Sequence, residues 1–213
     1  MSKSSILSDI AFICQRPIGD QEKLFEERSR SILSSVSAFL NSEVRTEGIW
    51  KISLCVNSQN PRQHMKIVEG VFRYNTEVDI GEFLSLPISE QRIEMLGIVD
   101  RNLREVFEAL HLDSSRLDGL SQFVADRDFT STFSGPVSKK FGMSAKVLSE
   151  QRFEQANIYV SIVKNGAEVK RVFVMETSPE EFQFNMYLKA PKWVSENEIL
   201  LTASNGETHS VLV

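Results

Sequence analysis

Cysteine is scarce in this chain, with only Cys14 and Cys55 among 213 residues. Two thiols close at most one bridge, which excludes a disulfide-stapled scaffold and a cysteine-rich zinc module. Both have apolar neighbours and read as small buried thiols of a reducing compartment. Histidine is nearly as rare: His64, His111 and His209 lie far apart, with no H-E-x-x-H and no Cys/His cluster. A structural zinc site needs four such ligands close together, so neither a metal nor any other cofactor is expected. His111 follows a helix, where a cation suits the C-terminal dipole, and His64 and His209 read as surface residues.

Catalytic signatures are missing as well. There is no G-x-S-x-G elbow, no G-x-G-x-x-G and no phosphate-binding G-x-x-x-x-G-K-[ST]. No run approaches the ~20 apolar residues that cross a bilayer. The short apolar patch at 10–14 ends at Arg16–Pro17 without a secretory core, so cytoplasmic residence and no membrane partner are expected. The net charge of -5 is modest and well mixed. Lys139, Lys140 and Lys146, near Phe141, are the densest basic group, and other cations are interleaved with glutamate. A nucleic-acid groove needs more positive charge than that. Gly135–Pro136 before Lys139–Lys140 reads as a solvated basic loop rather than an anion cradle.

What is present is a well-patterned globular chain, 41% hydrophobic and 25% charged. Its strongest signal lies at 158–176. Ile158, Val160 and Ile162 alternate with Tyr159, Ser161 and Val163, Asn165–Gly166 follows, and Val169, Arg171, Phe173 and Met175 take one register of a second run. Asn-Gly supplies the two positive φ angles of a type I′ turn, so a β-hairpin is expected.

Two long helices are expected before it. The first runs over about 21–40 with Asp20 as cap. Its stripe of Leu24, Phe25, Ile32, Leu33, Val36, Phe39 and Leu40 lapses at Arg28 and Ser29. The second runs over about 89–110 from Ser89, on Ile93, Leu96, Val99, Leu103, Val106, Phe107 and Leu110. Gly97 inside it suggests close approach by another element. A shorter helix fits 113–129.

Strand runs are expected at 50–56, 65–74 and 77–84, with a bulge or close contact at Gly70 and Trp50 in the core. A further set follows at 145–148, 153–163, 169–177, 182–188, 199–203 and 208–213, the last two joined by a tight turn at Asn205–Gly206. Residues 49–87 and 158–191 echo each other as three-stranded meanders, better read as two ordinary meanders than as a duplication. The class is therefore α+β: antiparallel meanders, two long amphipathic helices in the N-terminal half, and a strand-rich C-terminal half. A helix–meander–helix portion over 1–129 and an all-β portion over 143–213 would meet at an irregular seam near 130–142, as two lobes or one compact body.

Two acidic patches fall at corresponding places in the echo: Glu77, Asp79 and Glu82, and Glu176, Glu180 and Glu181. On one sheet edge they would form a surface for a basic partner; as solvated loops they would only keep an edge soluble. Trp193, between strands, reads as an exposed interface anchor. Asp126 and Asp128 could serve as acid and base in a hydrolase-like site, though they suit the solvated end of a helix equally well.

Size, mild acidity and missing catalytic motifs make the chain resemble small bacterial immunity or antitoxin-type proteins. The resemblance rests on no specific motif and carries over no position. It implies a non-enzymatic module that neutralises another protein through a charged surface. A structural or accessory subunit of a larger assembly, including a homo-oligomer, is the alternative.

Overall fold

A long helix stands between the first two six-residue strands, and it dictates how they pair. In the computed structural model, which describes residues 4–14, 18–57 and 65–213, β1 (Ser4–Ile6) and β2 (Asp9–Cys14) precede α1 (Asp20–Glu43). The chain returns through β3 (Arg45–Glu47) to β4 (Lys51–Val56). A crossover of this kind turns the chain through a full circuit, so β4 runs parallel to β2, with Asp9 opposite Lys51 and Cys14 opposite Val56. Then β5 (Lys66–Val68) and β6 (Val71–Thr76) follow. β6 lies parallel to β4, β5 pairs antiparallel outside it, and the order is β2-β4-β6-β5.

The α+β class holds, with its long helices N-terminal and its antiparallel sheets C-terminal. The correction concerns 49–87: β4 and β6 run parallel, and the strand expected over 65–74 is split by a turn at Glu69–Gly70 into the antiparallel pair β5 and β6. A helix takes the place of the third strand, so no meander forms. With that the echo of 158–191 loses its structural meaning. The connection expected around Asn60 and Pro61 lies outside the described residues.

The third run of that segment is α2 (Ile80–Ser85), not a strand. Asp79-x-x-Glu82 is a capping sequence: the Asp79 side chain accepts a hydrogen bond from the Glu82 N–H at 2.9 Å. Next come α3 (Ile88–Ala109), a 3-10 turn at Ser114–Leu117 and α4 (Leu120–Ala125). Pro87, not Ser89, stands at the start of α3, and Gly19 rather than Asp20 at the start of α1. No other element closes on Gly97; a Cβ there would meet only Arg101, at 3.6 Å.

Helix α1 lies on β2 and is flanked by α2, α3 and α4. Phe25, Ile32, Val36 and Leu40 are fully buried, as are Ile52 and Leu54 of the sheet and Val99, Leu103 and Phe107 of α3. The lapse in the α1 stripe is filled by polar packing. Ser29 is buried and donates to the Glu26 carbonyl at 2.7 Å, while Arg28 donates to the Gln91 side chain on α3. Gln91 in turn donates to the Leu86 carbonyl at 2.6 Å.

Cys14 and Cys55 are both free and buried. Because Cys55 stands opposite Ile13 and Cys14 opposite Val56, the two thiols alternate to opposite faces and cannot bridge. Burial, then the Glu26 carboxylate, pushes the Cys14 thiol from its ordinary 9.0 up to about 12, and burial raises Cys55. The folded state thus favours the neutral Cys14 thiol. That contribution is complete below pH 9 and lost as pH rises toward 12. At pH 8 the native protein should react with a thiol reagent far more slowly than the denatured chain, in proportion to its opening. Two thiols titrating at the denatured rate would contradict this burial.

The chain divides into two compact units, Met1–Thr130 and Ser131–Val213. The stretch expected to be irregular carries two strands of the second unit, β7 (Ser131–Ser134) and β8 (Ser138–Lys140). Both pair with β9 (Met143–Gln151), which pairs with β10 (Ala156–Lys164) and through it β11 (Ala167–Thr177). Asn165 and Gly166 have φ of 53° and 83°, as the hairpin turn demands. Helix α5 (Glu181–Asn185) replaces the strand expected at 182–188. The sheet β12 (Lys192–Ser195), β13 (Glu198–Thr202) and β14 (Thr208–Leu212) completes the unit. A five-residue loop joins the last two, with only Gly206 of the Asn-Gly pair at positive φ.

The two sheets of this unit share a core. Val147, Ile158, Phe184, Tyr187 and Leu201 form one cluster, and Val160, Ile162, Trp193, Ile199 and Val211 another. Strand β11 shifts register twice, skipping Val174 and Val169. These bulges turn Val172 and Val174 toward the core and leave Val169 and Phe173 more than half exposed. The expected single apolar register of Val169, Arg171, Phe173 and Met175 is thereby broken.

Candidate functional site

The Asp79 cap fixes where the first acidic patch lies. Glu77 and Asp79 precede α2 and Glu82 sits in its first turn, where carboxylates favour the positive end of the helix. Facing them, α3 presents Glu94, Ile98 and Arg101, spaced at helical intervals along one side. Between the two helices opens a cavity of about 350 Å3. Its floor is apolar, made by Val78, Phe83, Leu86 and Ile98; its rim is Glu77, Asp79, Glu82, Glu94 and Arg101. Glu94 and Arg101 pair at 3.2 Å. The other three carboxylates make no ion pair among the described residues, so the rim carries uncompensated negative charge over an oily base.

The second patch lines neither of the cavities described for this chain. Glu176 is exposed on β11, while Glu180 and Glu181 begin α5. Ser178 accepts a hydrogen bond from the Glu180 N–H at 3.3 Å, a second local cap. Of the six carboxylates only Glu176 lies on a strand, and the two patches belong to different units, so no single sheet edge carries both.

The tryptophans exchange their expected places. Trp193 is 4% exposed, packed in the second core cluster, with its ring edge-on to Phe141 at 6.0 Å. It alternates with Lys192 and Val194 on β12, a strand the sequence reading passed over, so the exposed-anchor expectation is corrected. Trp50, expected in the core, is 44% exposed. It precedes β4 instead of sharing its register, and its indole N–H donates to the Glu69 carbonyl at 3.1 Å.

Asp126 and Asp128 are exposed at the end of α4 and line neither cavity described for this chain. Asp126 accepts from the Gln122 amide at 2.5 Å, and Asp128 stands at a turn with φ 48°. His111 is exposed just past α3, and His64 lies outside the described residues. His209 is half-buried beside Glu207, at 3.0 Å, and Glu207 also accepts from the Tyr187 hydroxyl at 2.9 Å. That hydrogen bond chiefly lowers the Glu207 pKa; burial, then the same bond, raises that of Tyr187. Among the described residues no group of three or more His, Cys, Asp or Glu is placed to hold a metal ion. No helix among them is long and apolar enough to cross a membrane.

Sequence reading missed Glu94 and Arg101, both of which fall on the charged face of α3. Their signal was available: they flank Ile98 on the side of the helix away from its main apolar stripe. The Asp79-x-x-Glu82 cap was the other clue, since a helix there brings a second surface opposite α3. Chemically, the site offers a cleft of mixed lining, with apolar side chains at its base and a negative mouth. Comparison with protein-family models, curated proteins and solved structures finds no match to this chain.

Proposed function

We propose that the chain is a non-enzymatic protein-binding module, of the immunity or antitoxin type, whose N-terminal unit receives a basic side chain of its partner. The observation that carries this reading is the cavity between α2 and α3, with its carboxylate rim and its floor of Val78, Phe83, Leu86 and Ile98. Lysine and arginine have the matching chemistry: an aliphatic stem that packs on apolar surface and a cationic head that stays at the mouth. Exposed ion pairs contribute ~0.2–1 kcal/mol each. Three rim carboxylates therefore account for roughly a threefold to hundredfold gain, and the apolar stem must supply the rest.

The test is fluorescence anisotropy of a labelled tetra-arginine peptide, at low salt and at physiological salt. Glu77→Gln with Glu82→Gln should weaken binding about tenfold while keeping the Asp79 cap. Glu176→Gln with Glu181→Gln should leave it unchanged. Equal affinity for all three proteins would remove the cavity from the reading.

A further inference from the structure

At one end of the five-stranded sheet two tight turns stand side by side. Lys140 pairs with Met143 across the first, Lys164 pairs with Ala167 across the second, and Met143 pairs with Lys164 between them. Each turn holds two successive residues at positive φ: Phe141 and Gly142, Asn165 and Gly166. Between the turns lies an open depression of about 460 Å3, lined by Lys139, Lys140, Ser144, Asn165 and the two turn glycines, with no carboxylate. Lys139, Lys140 and Lys164 make no ion pair among the described residues. Phe141 is 41% exposed. It is held in place by the edge of Trp193 and has the Lys140 ammonium 4.8 Å from its ring centre. In a chain of net charge -5, this end of the sheet is locally basic and carries an aromatic tip.

We propose that this basic sheet end docks on the carboxylate-rimmed cavity of a second copy of the same chain. The inference rests on the reading of that cavity as a receptor for basic side chains, and it names the partner. Two features favour a second copy. Charge is complementary in number and sign, with Lys139, Lys140 and Lys164 against the unpaired Glu77, Asp79 and Glu82. Chemistry is complementary too: Phe141 offers the apolar group that the floor of Phe83, Leu86 and Ile98 would cover. A buried aromatic anchor carries much of an interface's affinity, while charges at its rim steer the encounter and suppress wrong partners. The two surfaces differ, so the contact is head-to-tail. Each copy bears one of each, so association closes as a reciprocal pair or a larger ring, or runs on as an open chain.

Sedimentation velocity of the unmodified chain over a concentration series gives the first readout. Mean mass should rise with concentration at low salt and fall back at high salt, as screening of exposed charges requires. Two variants locate the contact. One lacks the tip, with Lys139→Ala, Lys140→Ala and Phe141→Asn, the asparagine tolerating positive φ. The other lacks the rim, with Glu77→Gln and Glu82→Gln. Each alone should be monomeric, and an equimolar mixture should form a 1:1 pair and nothing larger, since only one intact interface remains. An unmodified chain that is monomeric throughout, or variants that still self-associate, would overturn the proposal. If the mixture stays monomeric while the tetra-arginine peptide still binds the cavity, the self-docking fails and the cavity reading stands. If the peptide also fails to bind, both fall.

Discussion

Phe25→Ala is expected to destabilise the N-terminal unit by about 3–5 kcal/mol, the range for truncating a fully buried aromatic. Phe25 has no exposed surface and stands edge-on to two other rings, Phe12 of β2 and Phe83 of α2, each at 5.2 Å. It is the piece of α1 that joins the sheet to the capped helix. Pairs of this geometry contribute ~0.5–1.5 kcal/mol beyond their buried area, and truncation removes both at once. Domains are commonly stable by only ~5–15 kcal/mol, so the loss is a large part of the whole. Trp50 lies in this unit and Trp193 in the other, so single Trp→Phe variants assign each urea transition. The Trp50 transition should move to lower denaturant with its slope kept. Leu24→Ala, at a neighbouring position 37% exposed, should change stability by less than about 0.5 kcal/mol. Because Phe83 also forms part of the cavity floor, Phe25→Ala should weaken peptide binding as well. An unchanged midpoint would mean that Phe25 does not hold these elements together.

Gly70→Ala is expected to cost roughly 2–5 kcal/mol, from two sources that act together. Gly70 has φ +80°, where a side chain costs ~1–2 kcal/mol. A Cβ there would also lie 2.6 Å from Trp50 Cδ1 and 2.8 Å from the Gly48 carbonyl oxygen. Overpacking of this kind costs ~1–3 kcal/mol. The indole can swing away, but only by giving up its hydrogen bond to Glu69; the Gly48 carbonyl is backbone and cannot. Trp50 fluorescence should therefore shift in the folded variant, and the Trp50-reported transition should fall while that of Trp193 stays fixed. Gly48→Ala shares the positive φ, yet nothing lies within 4 Å of its added Cβ. It should cost only the ~1–2 kcal/mol of conformation. Equal losses at the two glycines would show that the close approach of Trp50 contributes nothing.

The close contact at Gly70 was legible in the sequence, because a glycine inside an apolar pattern implies one. The single strand expected over 65–74 is nevertheless two strands, with Glu69 and Gly70 at positive φ in the turn between them. The long helices were legible for a related reason. Their stripes recur at helical spacing, and burial of Ile32, Val36, Val99, Leu103 and Phe107 follows from that period. The hairpin at Asn165–Gly166 needed only the conformational freedom of those two residues. All of these are local: period, turn chemistry and capping act within a few residues.

Less was readable where two distant surfaces settle the outcome. The sequence alone does not say whether β4 and β6 run parallel or fold back, because pairing direction depends on the path of the chain between them. The places of Trp50 and Trp193 were inverted because one residue at a strand end decides inside from outside. On β11, two bulges change which side chains face the core, and a bulge depends on what the opposing sheet must cover. The candidate site has the same character. Glu77, Asp79 and Glu82 stood out as an acidic group, and the sequence held their capping signal. Only the packing of α2 against α3 sets Glu94, Ile98 and Arg101 opposite them and turns a charged turn into a cavity.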